Sequence, residues 1–344
     1  MQAVTFQGVG EVRVADVSEP QLAARDDAIV QIEASGICGS DLHIYHGRHP
    51  VEPGFTVGHE FVGHVMATGE DVTDVAEGDR VVGCFVTACG RCFFCRRGAF
   101  HKCSDARTFG HGAIAGGLQG AQAEQVLVPH ANLVLRRLPE AISDDVALFA
   151  GDVLGTGLHA VKSAQIGLGD TVAVLGLGPV GLCAVQVARA AGAARILAVD
   201  SVPERLEMAR AFGAQPVHLT EDDPRAAVKA ATEGRGVDAC IEAVGHPDAL
   251  DMAIRTTRND GRLCVVGVYR TRTEVHMGLV WNRALRITAG PANVIGHVDE
   301  VLALIEAGVV DPSPIVTHHF KLAQAPEGYE LYDRREALKI VLTP

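Results

Sequence analysis

Four cysteines fall within fifteen residues in the stretch CGRCFFCRRGAFHKC, Cys89 to Cys103. Their spacing, C-x2-C-x2-C-x7-C, lets one short lobe close four thiolates around a single ion. Four soft anionic donors in a tetrahedron suit Zn2+ and leave no open coordination position, so Cys89, Cys92, Cys95 and Cys103 are expected to pin a loop and do no chemistry on a substrate. An iron–sulfur cluster would also want four cysteines, but the run lacks a Cys-Pro ending. A zinc ribbon for nucleic acid conflicts with the charge, since 42 acidic residues outweigh 30 basic ones for a net −12. Cys84, Cys183, Cys240 and Cys264 lie in apolar runs and read as plain buried thiols. The odd total of nine, in a long chain with no export signal, argues against a disulfide framework.

A second chemistry-bearing stretch is GLGPVG, Gly176 to Gly181, with Asp200 ending the next β-like run nineteen residues after Gly181. Between a strand and a helix, this pattern predicts a dinucleotide site. Gly176 allows the tight turn, Gly178 lets a pyrophosphate approach the backbone, and Gly181 lets helix and strand pack closely, while the helix N-terminus meets the phosphates. Asp200 can accept hydrogen bonds from both adenosine ribose hydroxyls and would repel a 2′-phosphate, which favours NAD. Arg205 could neutralise such a phosphate, which keeps NADP as the lesser alternative.

The elements that must position these residues fall into two halves. Up to about residue 150, short β-like runs such as AVTF, DAIVQIEASGIC, EFVGHVMATG and DRVVG alternate with Gly and Pro. From Thr171 the rhythm becomes strand, helix, strand, so the fold class is α/β: a β-rich domain plus a Rossmann, doubly wound parallel sheet. Ser201, Pro203 and Glu204 read as an N-cap, an N1 proline and a capping-box partner, while Gly192 and Gly213 close two helices. LRITAG reads as a sixth strand. After Pro291, helical HVDEVLALIEAG and a strand KIVLT are too little for a domain and are expected to pack back on the first half. The predicted boundaries are 1–150 with 291–344 for the β-rich domain, the cysteine lobe at 89–103 within it, and 151–290 for the nucleotide domain.

Two domains also suit 344 residues, and 48% hydrophobic against 21% charged residues suits a globular chain. No basic n-region with an apolar h-region opens the sequence and no eighteen-residue apolar run follows, so the expectation is a cytoplasmic protein with neither membrane nor nucleic acid as partner.

Spacing reveals no second metal, because its candidate ligands are scattered over more than a hundred residues. The order GICGSDLH (36–43), GHE (58–60), the cysteine lobe, GDVLGTGLHA (151–160) and GLGPVG resembles the zinc-dependent alcohol dehydrogenases of the medium-chain dehydrogenase/reductase superfamily, over essentially the whole chain. The resemblance implies a GroES-like catalytic domain beside the Rossmann domain, two zinc ions per chain, NAD, and a homodimer or homotetramer often joined near Leu285 to Gly290. It maps Cys38, His59 and Asp152 onto the ligands of a catalytic Zn2+, and Glu60 onto an adjacent, exchangeable ligand. Many relatives carry Cys or Glu where this chain has Asp152; a subset that includes secondary-alcohol and formaldehyde dehydrogenases carries Asp. One thiolate, one neutral imidazole and one carboxylate cancel the charge of Zn2+ and leave a fourth position for water or alcohol.

By the same mapping Ser40 and His43 form a proton relay, and Asp41 fixes the His59 tautomer. Thr156 and Val180 sit beside the nicotinamide, and Phe85 lines the substrate pocket. The implied activity is reversible hydride transfer between a small alcohol and NAD, giving an aldehyde or ketone. Polyol, threonine and formaldehyde dehydrogenases share the same machinery, and a non-catalytic NAD- and zinc-binding redox sensor is the rival from another class. His46, His64, His130, His318 and His319 have no motif behind them and read as structural.

Overall fold

Alternation of apolar and polar residues drives the first part of the chain into sheet. β1 (Gln2–Gly8) and β2 (Glu11–Asp16) form an antiparallel pair. β3 (Ala28–Ile37), β4 (Glu60–Thr68), β5 (Arg80–Gly83), β6 (Gln125–Val128) and β7 (Leu135–Arg137) follow. Short helices α1 (Asp41–Tyr45), α2 (Ala131–Val134) and α3 (Asp144–Ala147) interrupt them. Along β3 burial alternates through Ala28, Val30 and Ile32, then becomes continuous from Ala34 to Ile37, the end that leads into Cys38.

After α4 (Val153–Ser163) the chain builds a strictly alternating series. It runs β8 (Thr171–Leu175), α5 (Pro179–Ala190), β9 (Arg195–Asp200), α6 (Pro203–Ala211), β10 (Gln215–His218) and α7 (Pro224–Ala231), then β11 (Val237–Glu242), α8 (Pro247–Thr256), β12 (Thr257–Val265), α9 (Met277–Asn282) and β13 (Arg286–Ala289). Pro179, Pro203, Pro224 and Pro247 each open a helix, where a missing N–H costs nothing and the fixed φ suits the first turn. The strands lie in the order β10-β9-β8-β11-β12-β13, all parallel, so the order reverses between β8 and β11. The loop after β8, Gly176 to Gly181, opens at that switch point.

The tail holds α10 (Val298–Glu306), β14 (Val316–Lys321), α11 (Ala325–Asp333) and β15 (Lys339–Thr343). β14 and α11 escaped the sequence reading: VTHHFK is polar on one face, and APEGYELYD carries both Pro and Gly. The tail strands complete a seven-stranded sheet, β14-β15-β3-β4-β5-β7, with β6 paired to β3.

This computed structural model describes residues 1–270 and 272–344. The chain folds into two compact units: Met1–Gly155, Asn293–Gly308 and Pro312–Pro344, and Thr156–Ala292 with Val309–Asp311. The first passage between them falls inside α4, so Asp152 belongs to the first unit. Ser201 is not the N-cap of α6; that position is Val202, with no side-chain cap. The Asp200 carboxylate instead takes the amides of both Ser201 and Val202. Among the described residues, no helix is long and apolar enough to cross a membrane.

Candidate active site

Pairing of β3 with β4 sets Gly36 opposite Glu60, which brings the end of the GICGSDLH segment beside the GHE segment. The missing side chain at Gly36 is a requirement, because a Cβ there would lie 1.9 Å from Glu60 Oε2. Gly58 has φ +90° and its Cβ would strike the Gln122 side chain at 2.3 Å, so no other residue fits before His59. Asp152 arrives just ahead of α4. Cys38, His59, Glu60 and Asp152 thereby offer donor atoms that all lie within 4.8 Å of one another.

The distances fit one tetrahedral ion. Cys38 Sγ is 3.4 Å from Asp152 Oδ2, and His59 Nε2 is 3.2 Å from the same oxygen. Bonds of about 2.0–2.3 Å to a common zinc place such donors roughly 3.2–3.6 Å apart. Ser40 Oγ also stands 3.2 Å from His59 Nε2. His59 Nδ1 lies 3.1 Å from Asp41 Oδ1, which holds Nε2 toward the cluster. Asp41 is fixed in turn by the Cys38 amide at 2.9 Å and by Gln122 Nε2, whose own Oε1 accepts from the Tyr329 hydroxyl.

The cluster's electrostatics point the same way. Burial, then the neighbouring Asp152 and Glu60 charges, push the Cys38 thiol up to about 11. Burial opposes a charge on His59, yet Asp41 and Asp152 hold it well above the usual imidazole range. A buried thiol and carboxylate that raise the proton affinity of their neighbours form a site that a divalent cation neutralises. Glu60 stands apart from the other three: both of its oxygens lie on Lys339 Nζ, one at 2.7 Å, and neither residue has exposed side-chain surface. Burial opposes charge on Lys339, but Glu60 overrides it and the lysine is held protonated.

The cysteine lobe is closed in the way its spacing predicts. Cys92 and Cys95 have sulfurs 3.5 Å apart, as do Cys89 and Cys103. That is well beyond a disulfide bond of about 2 Å and near the roughly 3.8 Å edge of a zinc tetrathiolate. All four thiols are free and offer ligand atoms within the same 4.8 Å limit.

In the second unit, Gly176 sits at φ +88°, and a Cβ on Gly181 would lie 1.8 Å from the Gly176 carbonyl. A Cβ on Gly178 would meet nothing within 4 Å, so this glycine leaves open space before the uncapped N-terminus of α5, as a pyrophosphate needs. Asp200 Oδ2 accepts the Leu177 amide at 2.6 Å, while the Arg205 guanidinium stands 3.9 Å away. Asp200 therefore braces the glycine loop in addition to facing it.

The alcohol dehydrogenase GroES-like family profile matches residues 24–140, and the zinc-binding dehydrogenase profile matches residues 179–307. A zinc-type alcohol dehydrogenase-like protein, AdhB of Bacillus subtilis, is 34% identical with both chains covered completely. The alcohol dehydrogenase TADH from Thermus sp. ATN1 superposes with a TM-score of 0.95 at 45% identity, over 100% of this chain and 99% of that one. A zinc-binding dehydrogenase of Sinorhizobium meliloti, solved with NADP bound, does so at 0.87 and 30% identity, over 100% and 99%. The chain belongs to the zinc-dependent medium-chain dehydrogenase/reductase family.

This dehydrogenase is an oxidoreductase acting on CH–OH groups, with zinc and a nicotinamide dinucleotide as its cofactors. Its remaining sequence-predicted residues fall as follows. Phe85 stacks edge-on to His59 with ring centroids 6.3 Å apart, at the metal cluster. His43 lies on α1, its amide bonded to the Ser40 carbonyl. Thr156 on α4 and Val180 in the first turn of α5 are both half-buried and belong to the second unit.

The sequence reading missed Lys339, Gln122 and two buried histidines of the dehydrogenase. His111 packs edge-on to His59 at 5.2 Å and against His49 at the same distance. Its Nδ1 donates to the Phe109 carbonyl at 2.8 Å, and burial followed by the His59 charge lowers it to about 4. Both histidines lie in loop sequence without periodicity, so only the fold could reveal them.

Proposed function

We propose that this chain is a zinc-dependent, NAD-preferring alcohol dehydrogenase that interconverts a small alcohol with its aldehyde or ketone. The observation that carries the reading is the donor set Cys38, His59 and Asp152 at tetrahedral spacing, with the Ser40 hydroxyl 3.2 Å from His59 Nε2. Zinc held there supplies a Lewis acid that acidifies the substrate hydroxyl, and NAD supplies the hydride acceptor. Ser40 hydrogen-bonds the alcohol oxygen and relays its proton toward His43, which is reached through the cofactor ribose. Asp41 keeps His59 in a single tautomer, and Phe85 supplies an apolar wall. β13, exposed along all four residues at the sheet edge, is where a second copy continues the sheet into a homo-oligomer.

The test pairs zinc content with NAD reduction over primary, secondary and polyol alcohols. Two zincs per chain with turnover are expected, and one zinc without turnover would refute the proposal. Ser40→Ala is expected to lower kcat about 100-fold while zinc and NAD binding persist. An unchanged kcat would remove Ser40 from the relay.

Cofactor choice has its own test. Asp200→Gly is expected to move the kcat/KM ratio for NADP over NAD upward by about tenfold, equivalent to roughly 1.4 kcal/mol. The carboxylate is lost while Arg205 remains. An unchanged ratio would assign Asp200 solely to bracing Leu177, Ser201 and Val202.

A further inference from the structure

A cavity of about 200 Å³ lies in the nucleotide-binding unit, lined by Arg225, Lys229, Arg235, Arg255 and Arg283. It is built from α7, from Arg225 in its first turn to Lys229, the turn at Gly234 to Gly236, the C-terminal turn of α8 and the residue that follows α9. The turn leads into the start of β11, at the opposite end of the parallel strands from the Gly176–Gly181 loop, which follows the end of β8.

Among the described residues, only Arg225 and Arg255 of these five cations are ion-paired, and to the same carboxylate. Asp251 pairs with Arg255 at 2.6 Å and with Arg225 at 3.4 Å. Lys229 and Arg235 have no ion pair or side-chain hydrogen bond among the described residues. Arg283 spends Nη1 on the carbonyls of Ile254, Arg255 and Thr257, at the end of α8. Those carbonyls account for a cation at that point. Lys229 and Arg255 likewise sit in the last turns of α7 and α8, but the helix ends do not account for Arg235 or for the rest of the Arg283 guanidinium, in a chain whose net charge is −12.

The arrangement is also held in place. Gly234 and Gly236 flank Arg235 at φ +84° and +96°, and a Cβ on Gly236 would come within 2.7 Å of the Thr256 carbonyl. The Gly236 amide is fixed by Thr232 Oγ1 at 3.0 Å. The backbone that follows Arg235 is thus held, and Arg283 is fixed through its Nη1, around a concave space. Like charges held together repel unless a counter-anion joins them.

We propose that this cavity is a binding site for a small phosphate-class anion, separate from the dinucleotide loop. A phosphate group matches the guanidinium forks and the size of the space.

The experiment is calorimetric titration of inorganic pyrophosphate into the full-length, zinc-loaded protein at low ionic strength, with and without saturating NADH. The wild type and a Lys229→Glu/Arg235→Glu variant are compared, both changes being at exposed positions outside the active site. One pyrophosphate per chain is expected, persisting with NADH present and weakened about tenfold or more in the variant. The proposal is overturned by absent binding, by complete displacement with NADH, or by equal affinity in the variant. Far-ultraviolet circular dichroism and NADH affinity unchanged in the variant tie its loss to this cavity rather than to misfolding.

Discussion

Asp152→Ala is expected to leave one zinc per chain in place of two and to lower kcat/KM by about 10³-fold or more, corresponding to roughly 4 kcal/mol of lost transition-state stabilisation. Asp152 Oδ2 is the donor in contact with both Cys38 and His59, so its removal opens the cluster on two sides. Glu60 does not step in, because both of its oxygens are engaged by Lys339. The remaining zinc is that of the cysteine lobe, which shares no ligand with the cluster. Elemental analysis of the purified variant checks the stoichiometry. Two zincs in Asp152→Ala would show that the carboxylate is not a ligand.

Lys339→Met is expected to cost about 3–5 kcal/mol of stability in the zinc-stripped chain, the usual consequence of leaving one charge of a buried pair without its partner. Glu60, which opens β4 opposite Gly36 and is pushed up to about 7 by burial even beside Lys339, would then be a fully buried carboxyl that has lost its cation. The loss should be smaller in the zinc-loaded chain, because a metal ion in the cluster supplies positive charge within reach of Glu60. Adding Glu60→Gln to Lys339→Met should recover part of the loss by removing the stranded charge. Urea unfolding of the single and double variants, each with and without zinc, checks the set. A loss below about 1 kcal/mol in the stripped single variant would mean that the pair behaves as an exposed one.

How much could be read beforehand depended on how the residues are distributed along the chain. The cysteine lobe was legible because all its ligands lie in one run, and the strand–helix series was legible because its periods and prolines are local. The metal cluster was not legible from spacing, since 93 residues separate His59 from Asp152: β3–β4 pairing brings Cys38 beside His59, and Asp152 joins them from the segment before α4, where the Phe85 amide holds the Gly151 carbonyl. Lys339 was hidden for a different reason. A lysine opening KIVLT looks like a solvated strand end until β15 docks against β3 and buries it over Phe149. The sequence leads to the expectation that Asp200 contacts the ribose, but its bracing of three backbone amides follows from loop geometry that no residue type announces. Ser201 is not the N-cap because α6 begins at Pro203, which leaves that position to Val202.

The two metal sites also differ in when the chain can make them. Sulfurs from Cys89 and Cys103 close a segment of 14 residues, whereas Cys38 and Asp152 span 114. Loop-closure entropy alone makes the longer closure about 2 kcal/mol harder. The lobe can therefore close on its ion by itself, while the catalytic cluster forms only once distant parts of the first unit have come together. A filled catalytic site thus reports a folded first unit, and a filled lobe only a local closure.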